Sequence, residues 1–302
     1  MNPLNVTLGP VLLDTPLIGA SGTLGSIVEF RRTVDLSRYG AVTAKSVAPE
    51  PWPGRVPPRM ATTDAGMLNG IGIQNPGIDV WLEEVSEPFK DMAVPVWGSV
   101  VAHDPDGFAE VASKMPAAGV SGIEINLSCP NLDGRPFALD AAVTHDVVAA
   151  VRSATDLPIG AKLSGDAMPI SAVAHAAMSA GADWLVIANT VMGAAIDVTT
   201  RRPALSGLIG GYSGTGIRPI IMRCVLEVSR DLPDAPIVAC GGVSHRDHVI
   251  EFILAGADAV AIGTAHFARP RIAAKILKGV RRYLQDNDIE SIRLLKGAYE
   301  PW

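Results

Sequence analysis

Hydrophobic residues fall along this chain mostly in short continuous runs, not in the alternating pattern of a half-exposed sheet. Such runs lie at Leu17–Ala20, Ala41–Lys45, Val94–Val100, Gly122–Asn126, Ile159–Leu163, Trp184–Ala188, Ile237–Ala239 and Ala259–Ile262. Strands that are apolar on both faces belong in a parallel sheet covered on both sides. Between the runs, Asp106–Met115, Ala141–Ser153, Ile170–Ser179, Ile220–Ser229, Arg246–Leu254 and Pro270–Leu284 carry apolar residues at three- and four-residue spacing. That spacing predicts helices with one buried face.

Three of the helix ends share an Ala-Gly signature, Ala118-Gly119-Val120, Ala180-Gly181-Ala182-Asp183 and Ala255-Gly256-Ala257-Asp258, each followed at once by a strand. Glycine there takes the left-handed turn that aims the chain back into the sheet. The repeated unit is strand, helix, Ala-Gly, strand. Eight strands joined by right-handed crossovers favour an α/β fold closed as a (β/α)₈ TIM barrel over an open doubly wound sheet. No linker divides the chain, so residues 1–302 are expected to form a single domain. Ala48–Arg59 and Met192–Pro219 read as long loops after strands two and six. In a barrel such loops sit on the C-terminal face, where active sites are built.

Composition narrows the class. Hydrophobic residues make up 48% and charged residues 19%, ample for one large core. A net charge of -6 argues against a nucleic-acid partner, which needs a basic face. The start, Met1–Val6, has no basic segment leading into an apolar run, and the apolar stretches fall far short of the ~20 residues of a membrane span. Neither a signal peptide nor a membrane is expected, and a cytoplasmic location follows as the expectation. Cys129, Cys224 and Cys240 are too scattered for a disulfide framework or a metal knuckle.

The candidate chemistry gathers at predicted strand ends. Asn126-Leu127-Ser128-Cys129-Pro130-Asn131 follows strand four directly. Carboxamides offer both donors and acceptors, which suits the alternating N–H and C=O edge of a pyrimidine, and a thiolate is the reactive form of cysteine. Two readings stay open on spacing alone: a reactive Cys129, or a packed thiol whose neighbouring asparagines cap the next turn. Asn69, within Met67–Gly77, and Ala188-Asn189-Thr190 add two more carboxamide loops, and three converging on one mouth outweigh the turn-residue reading. Lys45 ends strand two and Lys162 sits in strand five. A lysine in either place wants an anion or a polar ring atom, unless it snorkels to the rim. Gly210–Gly216, Gly241-Gly242 after strand seven and Gly263-Thr264 after strand eight suit a phosphate cradle, for a cofactor or a substrate. The six histidines are dispersed and form no metal-type cluster, so no metal is expected. Asp14, Asp64 and Asp79 lack a paired partner, and neither a GxGxxG after a strand nor a Walker motif occurs.

Ala20-Ser21-Gly22-Thr23, the Lys45 strand, Leu68–Gly72 with Asn75-Pro76-Gly77, Asn126–Asn131, Ala188–Thr190 with Ala195-Ile196-Asp197, and the closing glycines together resemble dihydroorotate dehydrogenase over nearly the whole chain. The Asn-x-Ser-Cys-Pro-Asn hexapeptide is the most specific part. A cysteine at position 129 resembles the soluble class 1 enzymes, since the membrane-associated class carries serine there. The resemblance implies FMN in the barrel mouth, with Ala20, Ser21, Lys45, Asn126 and Lys162 near its ring and ribityl chain. It implies a phosphate seat of Gly216, Gly241, Gly242, Gly263 and Thr264. Orotate would be held by Lys45, Asn69, Asn126, Asn131, Asn189 and Thr190. Cys129 would take a proton from C5 of dihydroorotate as hydride passes from C6 to the flavin, under a lid hinged at Gly134 and Pro136.

Two stretches depart from the family pattern. Its usual Lys-Leu-Ser-Pro-Asn reads Lys162-Leu163-Ser164-Gly165-Asp166, and its Ser-Gly-Pro-Ala reads Ser213-Gly214-Thr215-Gly216. Pro57-Pro58-Arg59 with Gly66–Asn69 looks more like the NAD-linked subtype, which pairs with a separate iron–sulfur FAD subunit in a heterotetramer. The alternative is the homodimeric, fumarate-using subtype. Three rival readings remain: a dihydrouridine synthase-like barrel acting on RNA, a dihydropyrimidine dehydrogenase-like reductase of free pyrimidines, and a barrel that binds flavin without catalysis.

Overall fold

The computed structural model describes residues 2–128, 137–300 and 302. They form a closed barrel of eight parallel strands in sequential order. In chain order these are β1 Leu17–Gly19, β2 Ala41–Thr43, β3 Val96–Val100, β4 Gly122–Asn126, β5 Ile159–Lys162, β6 Trp184–Ile187, β7 Ile237–Cys240 and β8 Ala259–Ile262. Each predicted apolar run becomes one strand. Several strands stop one or two residues short of the run, because Ala20, Ala44, Leu163 and Ala188 keep a backbone bond to one neighbour only as the chain turns out at the mouth. Lys45 therefore stands just beyond β2, not at its end.

The predicted helices form after β3 to β8 in turn, at Pro105–Lys114, Ala141–Ala154, Ile170–Ser179, Arg218–Asp231, Arg246–Leu254 and Ile272–Asp286. The last shows the cause plainly: Ile272, Ala273, Ile276, Leu277, Val280 and Leu284, at helical spacing, are its buried residues. Gly119, Gly181 and Gly256 of the Ala-Gly ends have φ of +73°, +99° and +113°, the left-handed turn their sequence predicts. Two aspartates complete the device. Asp183 Oδ2 accepts from the Ile159 N–H at 2.8 Å and Asp258 Oδ2 from the Ile237 N–H at 2.9 Å, each clamping the start of the preceding strand.

Inside the barrel, Trp97 on β3 and Trp184 on β6 are fully buried, with ring centroids 4.7 Å apart. Gly122 lies in register with Trp97 and Gly160 with Trp184. A Cβ on Gly122 would stand 3.0 Å from the Trp97 ring, and one on Gly160 would overlap the Trp184 indole. Two glycines thus make room for two indoles, and together they plug the N-terminal half of the barrel.

Two additions lie outside the helix-and-strand repeat. Val6–Leu8 and Val11–Leu13 form a hairpin that buries Val6, Leu8 and Leu13 and turns at Gly9 against the Asp183 backbone, below β6. At the other end, Val191–Gly193, Gly210–Ser213, Gly66–Asn69 and Met60–Thr63 join as a four-stranded antiparallel sheet, in that order. This corrects the reading of Met192–Pro219 as a plain loop: its glycine-rich stretch pairs as a strand. No helix among the described residues is long and apolar enough to cross a membrane.

The clamp predicts a measurable cost. Asp258→Ala removes the acceptor of the Ile237 N–H and the partner of Lys296, whose Nζ lies 2.7 Å from Asp258 Oδ1. A bond to a charged group that leaves a buried donor unpaired is worth about 1–3 kcal/mol. Urea unfolding should show that loss as a lower midpoint at an unchanged slope. A midpoint within error of the parent would mean that the clamp is not a stability element.

Candidate active site

Side chains on one strand face recur every two residues, so the positions above the Trp-Gly plug are Glu124 on β4 and Lys162 on β5. Both are buried, and Lys162 Nζ donates to Glu124 Oε1 at 3.2 Å. Burial pushes the Lys162 ammonium toward neutrality, but the Glu124 carboxylate more than offsets this and holds its pKa above the ordinary 10.5. Cys240, at the end of β7, is close enough to feel the Lys162 charge. Even so, desolvation keeps the Cys240 thiol above its ordinary range, and it stays protonated. The floor of the mouth is a charged pair in an otherwise apolar tube.

One layer higher the carboxamides meet. Asn189 Nδ2 donates to Asn126 Oδ1 at 3.3 Å, and Asn126 Nδ2 donates to Ser46 Oγ at 3.0 Å. Ser46 in turn shares a 2.8 Å hydrogen bond with Ser99, and the Thr190 N–H donates to Asn189 Oδ1 at 2.8 Å. The ends of β2, β3, β4 and β6 are thereby joined in one polar chain. Asn69 and Thr190 flank Gly211: Asn69 Nδ2 donates to the Gly211 carbonyl at 3.3 Å, and a Cβ on Gly211 would overlap the Thr190 hydroxyl. The antiparallel sheet carries both groups to the mouth. Lys45, next to Ser46, is half-buried, with no salt-bridge partner among the described residues. Burial first, and Arg59 second, lower its pKa from the ordinary 10.5, against the pull of Glu29.

The glycine turns also converge. Gly242, at φ +75°, packs so tightly that a Cβ would lie 2.9 Å from the Gly214 carbonyl oxygen. Thr264 Oγ1 donates to Ser213 Oγ at 2.7 Å, tying the turn after β8 to the antiparallel sheet. Gly263 faces the turn after β1, its bare Cα open enough that a Cβ would meet Ala20 and Thr23 at an ordinary 3.6 Å. Gly216 lies just ahead of the helix Arg218–Asp231, whose N-terminal end carries the positive pole of the helix. Ser21 follows Ala20 in the β1 turn and is part-exposed. Cys129 and Asn131, with the hinge residues Gly134 and Pro136, lie outside the described residues; the chain is described up to Ser128, whose N–H donates to Asn126 Oδ1 at 3.3 Å.

A family model described as dihydroorotate dehydrogenase matches residues 3–284. Relatives named dihydroorotate dehydrogenase B (NAD(+)), catalytic subunit, are similar from end to end. That of Alkaliphilus metalliredigens is 36% identical over 297 residues, and that of Trichlorobacter lovleyi 39% identical over 300 residues; in both the match covers 98% of each chain. The chain belongs to the dihydroorotate dehydrogenase family. Members of the dihydroorotate dehydrogenase family are flavin-dependent oxidoreductases. The fold agrees with a crystallised DHODH of Eimeria tenella in complex with ferulenol, at a TM-score of 0.83 and 19% identity, covering 98% of this chain and 88% of that one.

The mouth suits such a group. It offers a half-buried ammonium with no salt-bridge partner among the described residues, a buried Lys162–Glu124 pair as its floor, and turns whose glycines leave backbone open at Gly22 and Gly263. Sequence reading of this dihydroorotate dehydrogenase family member misses Glu124, although a lone carboxylate in the apolar run Gly122–Asn126 is its visible signal. It also passes over His266, because that histidine has no metal-type neighbours. His266 is buried and bonded at both nitrogens, to Tyr39 Oη at 2.6 Å and to Thr23 Oγ1 at 3.2 Å. Among the described residues no group of three or more His, Cys, Asp or Glu could hold a metal ion.

Two expectations follow. Lys162→Met strands the Glu124 carboxylate and should cost about 3–5 kcal/mol, whereas Glu124→Leu with Lys162→Met should recover most of it. Urea unfolding of both variants checks this, and a double variant that loses as much as Lys162→Met alone, or more, would contradict the stranded-charge account. Burial lowers the His266 pKa from 6.5 to about 4, so the unfolded chain binds that proton more readily. Stability from the neutral imidazole is full above pH 6.5 and drains away as pH falls toward 4. Between pH 7.5 and 4.5 the parent should lose about 2–3 kcal/mol more than His266→Asn; parallel losses would contradict the assignment.

Proposed function

We propose that this chain oxidises dihydroorotate to orotate with FMN held in the barrel mouth, as the catalytic subunit of a system that passes its electrons to a separate protein. The observation that carries the reading is the joining of Ser46, Asn126 and Asn189, beside the half-buried Lys45 and above a buried Lys162. Lys162, Lys45, Asn126, Ala20 and Ser21 would hold the flavin ring and ribityl chain. Gly216, Gly241, Gly242, Gly263 and Thr264 would seat its phosphate, at turns backed by a helix N-terminus.

Bound there, FMN would supply the acceptor for the hydride, with its two electrons, lost from C6. The remaining work falls to side chains. Lys45 would pair with the carboxylate that sets dihydroorotate apart from dihydrouracil, and its half-burial without a salt-bridge partner among the described residues supports that role. Asn69, Asn126, Asn131, Asn189 and Thr190 would bind the N–H and C=O edges of the ring, a pattern that a carboxamide can match from either side. Asn126 and Asn189 are already braced by each other, so little side-chain freedom would be lost on binding. Cys129, the residue after Ser128, would remove the proton from C5 as a thiolate.

The relatives named catalytic subunits imply a partner. That name favours electron exit through a separate iron–sulfur FAD subunit in a heterotetramer over fumarate reduction by a homodimer, and with three cysteines and no nicotinamide fingerprint of its own the chain would need such a subunit to reach NAD.

Anaerobic titration with dihydroorotate, followed by flavin absorbance, tests the reading. The expected result is bleaching by dihydroorotate and none by dihydrouracil. Cys129→Ser should stay yellow and bleach about 10²–10⁴-fold more slowly, the usual contribution of a positioned base. A yellow protein that dihydroorotate leaves unbleached would move the activity to another substrate or to binding alone. Near-parental rates in Cys129→Ser would remove that residue from the chemistry.

A further inference from the structure

Behind the turn after β1 two buried side chains and a half-buried one, from distant parts of the sequence, are linked in a chain. Tyr39 Oη and His266 Nε2 are 2.6 Å apart, His266 Nδ1 and Thr23 Oγ1 are 3.2 Å apart, and Thr23 Oγ1 reaches the Ala20 carbonyl at 3.0 Å. Tyr39 and His266 are 3% and 1% exposed, so each of their polar hydrogens needs an acceptor inside the protein.

Three protons and three bonds leave one consistent arrangement. If Tyr39 donates to Nε2, then Nδ1 carries the imidazole hydrogen and donates to Thr23, whose own hydrogen is free to reach Ala20. Reversing the direction would place the imidazole hydrogen on Nε2 and point Thr23 at Nδ1. The Ala20 carbonyl would then lose the hydroxyl, and the Tyr39 hydrogen would have no acceptor among the described bonds. An imidazolium would strand the Tyr39 hydrogen in the same way, and burial keeps the ring neutral.

We propose that Tyr39, His266 and Thr23 form a one-way hydrogen-bond relay that positions the two turns on which the flavin would rest. His266 is the joint. Its backbone N–H donates to the Gly263 carbonyl at 2.9 Å, in the turn after β8, while its side chain grips Thr23 in the turn after β1. Ala20 and the Thr23 methyl are also the groups that face Gly263. Tyr39 anchors the far end just ahead of β2, the strand that leads to Lys45. None of the three touches the reacting atoms; they are positioning residues, and the inference rests on the FMN reading above.

Two measurements on the holoprotein decide it. Two-bond ¹H–¹⁵N correlation spectra at pH 7 should show His266 as the Nδ1–H tautomer, and the Nε2–H tautomer would overturn the relay. The affinity for FMN, read by fluorescence quenching after flavin removal and reloading, should fall ~10-fold in Thr23→Val, the equivalent of one net hydrogen bond. Thr23→Ser, which keeps the hydroxyl, should bind like the parent. If Thr23→Val binds FMN as tightly as the parent, the relay has no hold on the site and the inference fails while the flavin reading stands. A parent that binds no FMN would overturn both.

Discussion

A lysine in the middle of a parallel barrel has to be neutralised, and much of the site depends on how that is done here. Glu124 and Lys162 face each other inside a tube otherwise lined by tryptophan, glycine and aliphatic side chains. A buried pair of this kind adds little net stability compared with apolar residues of the same volume. What it provides is an ammonium at a known depth, held by a carboxylate partner that cannot leave without great cost. The plug of Trp97 and Trp184 beneath it excludes water from below, which keeps the local dielectric low and the pair tightly coupled.

The groups above the floor are supplied by segments that are far apart in the sequence. Asn69 reaches the Gly211 carbonyl and Thr264 reaches Ser213 only because the antiparallel sheet folds over one side of the mouth. The barrel strands set where each carboxamide emerges, and the sheet then closes the wall against them. This division explains the many hydroxyl and amide contacts between side chains at the rim. Ser46, Ser99, Asn126 and Asn189 satisfy one another, so the polar ring is rigid before any ligand arrives.

The barrel was legible in the sequence because its strands are buried on both faces and leave a continuous apolar mark at each of eight places. The Ala-Gly turns were legible for a different reason: glycine is needed there for φ, whatever the tertiary context. The antiparallel sheet left no such mark. Gly210–Ser213 and Gly66–Asn69 are short and glycine-rich, and they pair only because the barrel brings them together, so a local reading yields a loop. Lys45, Asn126, Asn189 and Thr190 could be picked out because polar residues at strand ends have few structural uses. Glu124 and the Tyr39–His266–Thr23 chain could not, since each depends on a partner more than 35 positions away in the sequence or 200 and more.

The two departures from the family pattern look different once their neighbours are known. Gly165 stands where the family usually has proline. A Cβ there would lie 3.0 Å from Val191 and 3.1 Å from Ile221, so these neighbours have closed over the space that a larger residue would use. Asp166, in place of asparagine, accepts from the Met192 N–H at 3.1 Å and so still holds the first strand of the antiparallel sheet. At Gly216, in place of alanine, a Cβ would collide with the Tyr212 hydroxyl. In each case a lost side chain is matched by a neighbour that fills its volume or takes over its bond. Neither change alters a charge at the floor or a donor on the carboxamide ring. Both departures therefore lie in the packed shell, and the polar centre, whose groups constrain one another, keeps its donors and charges.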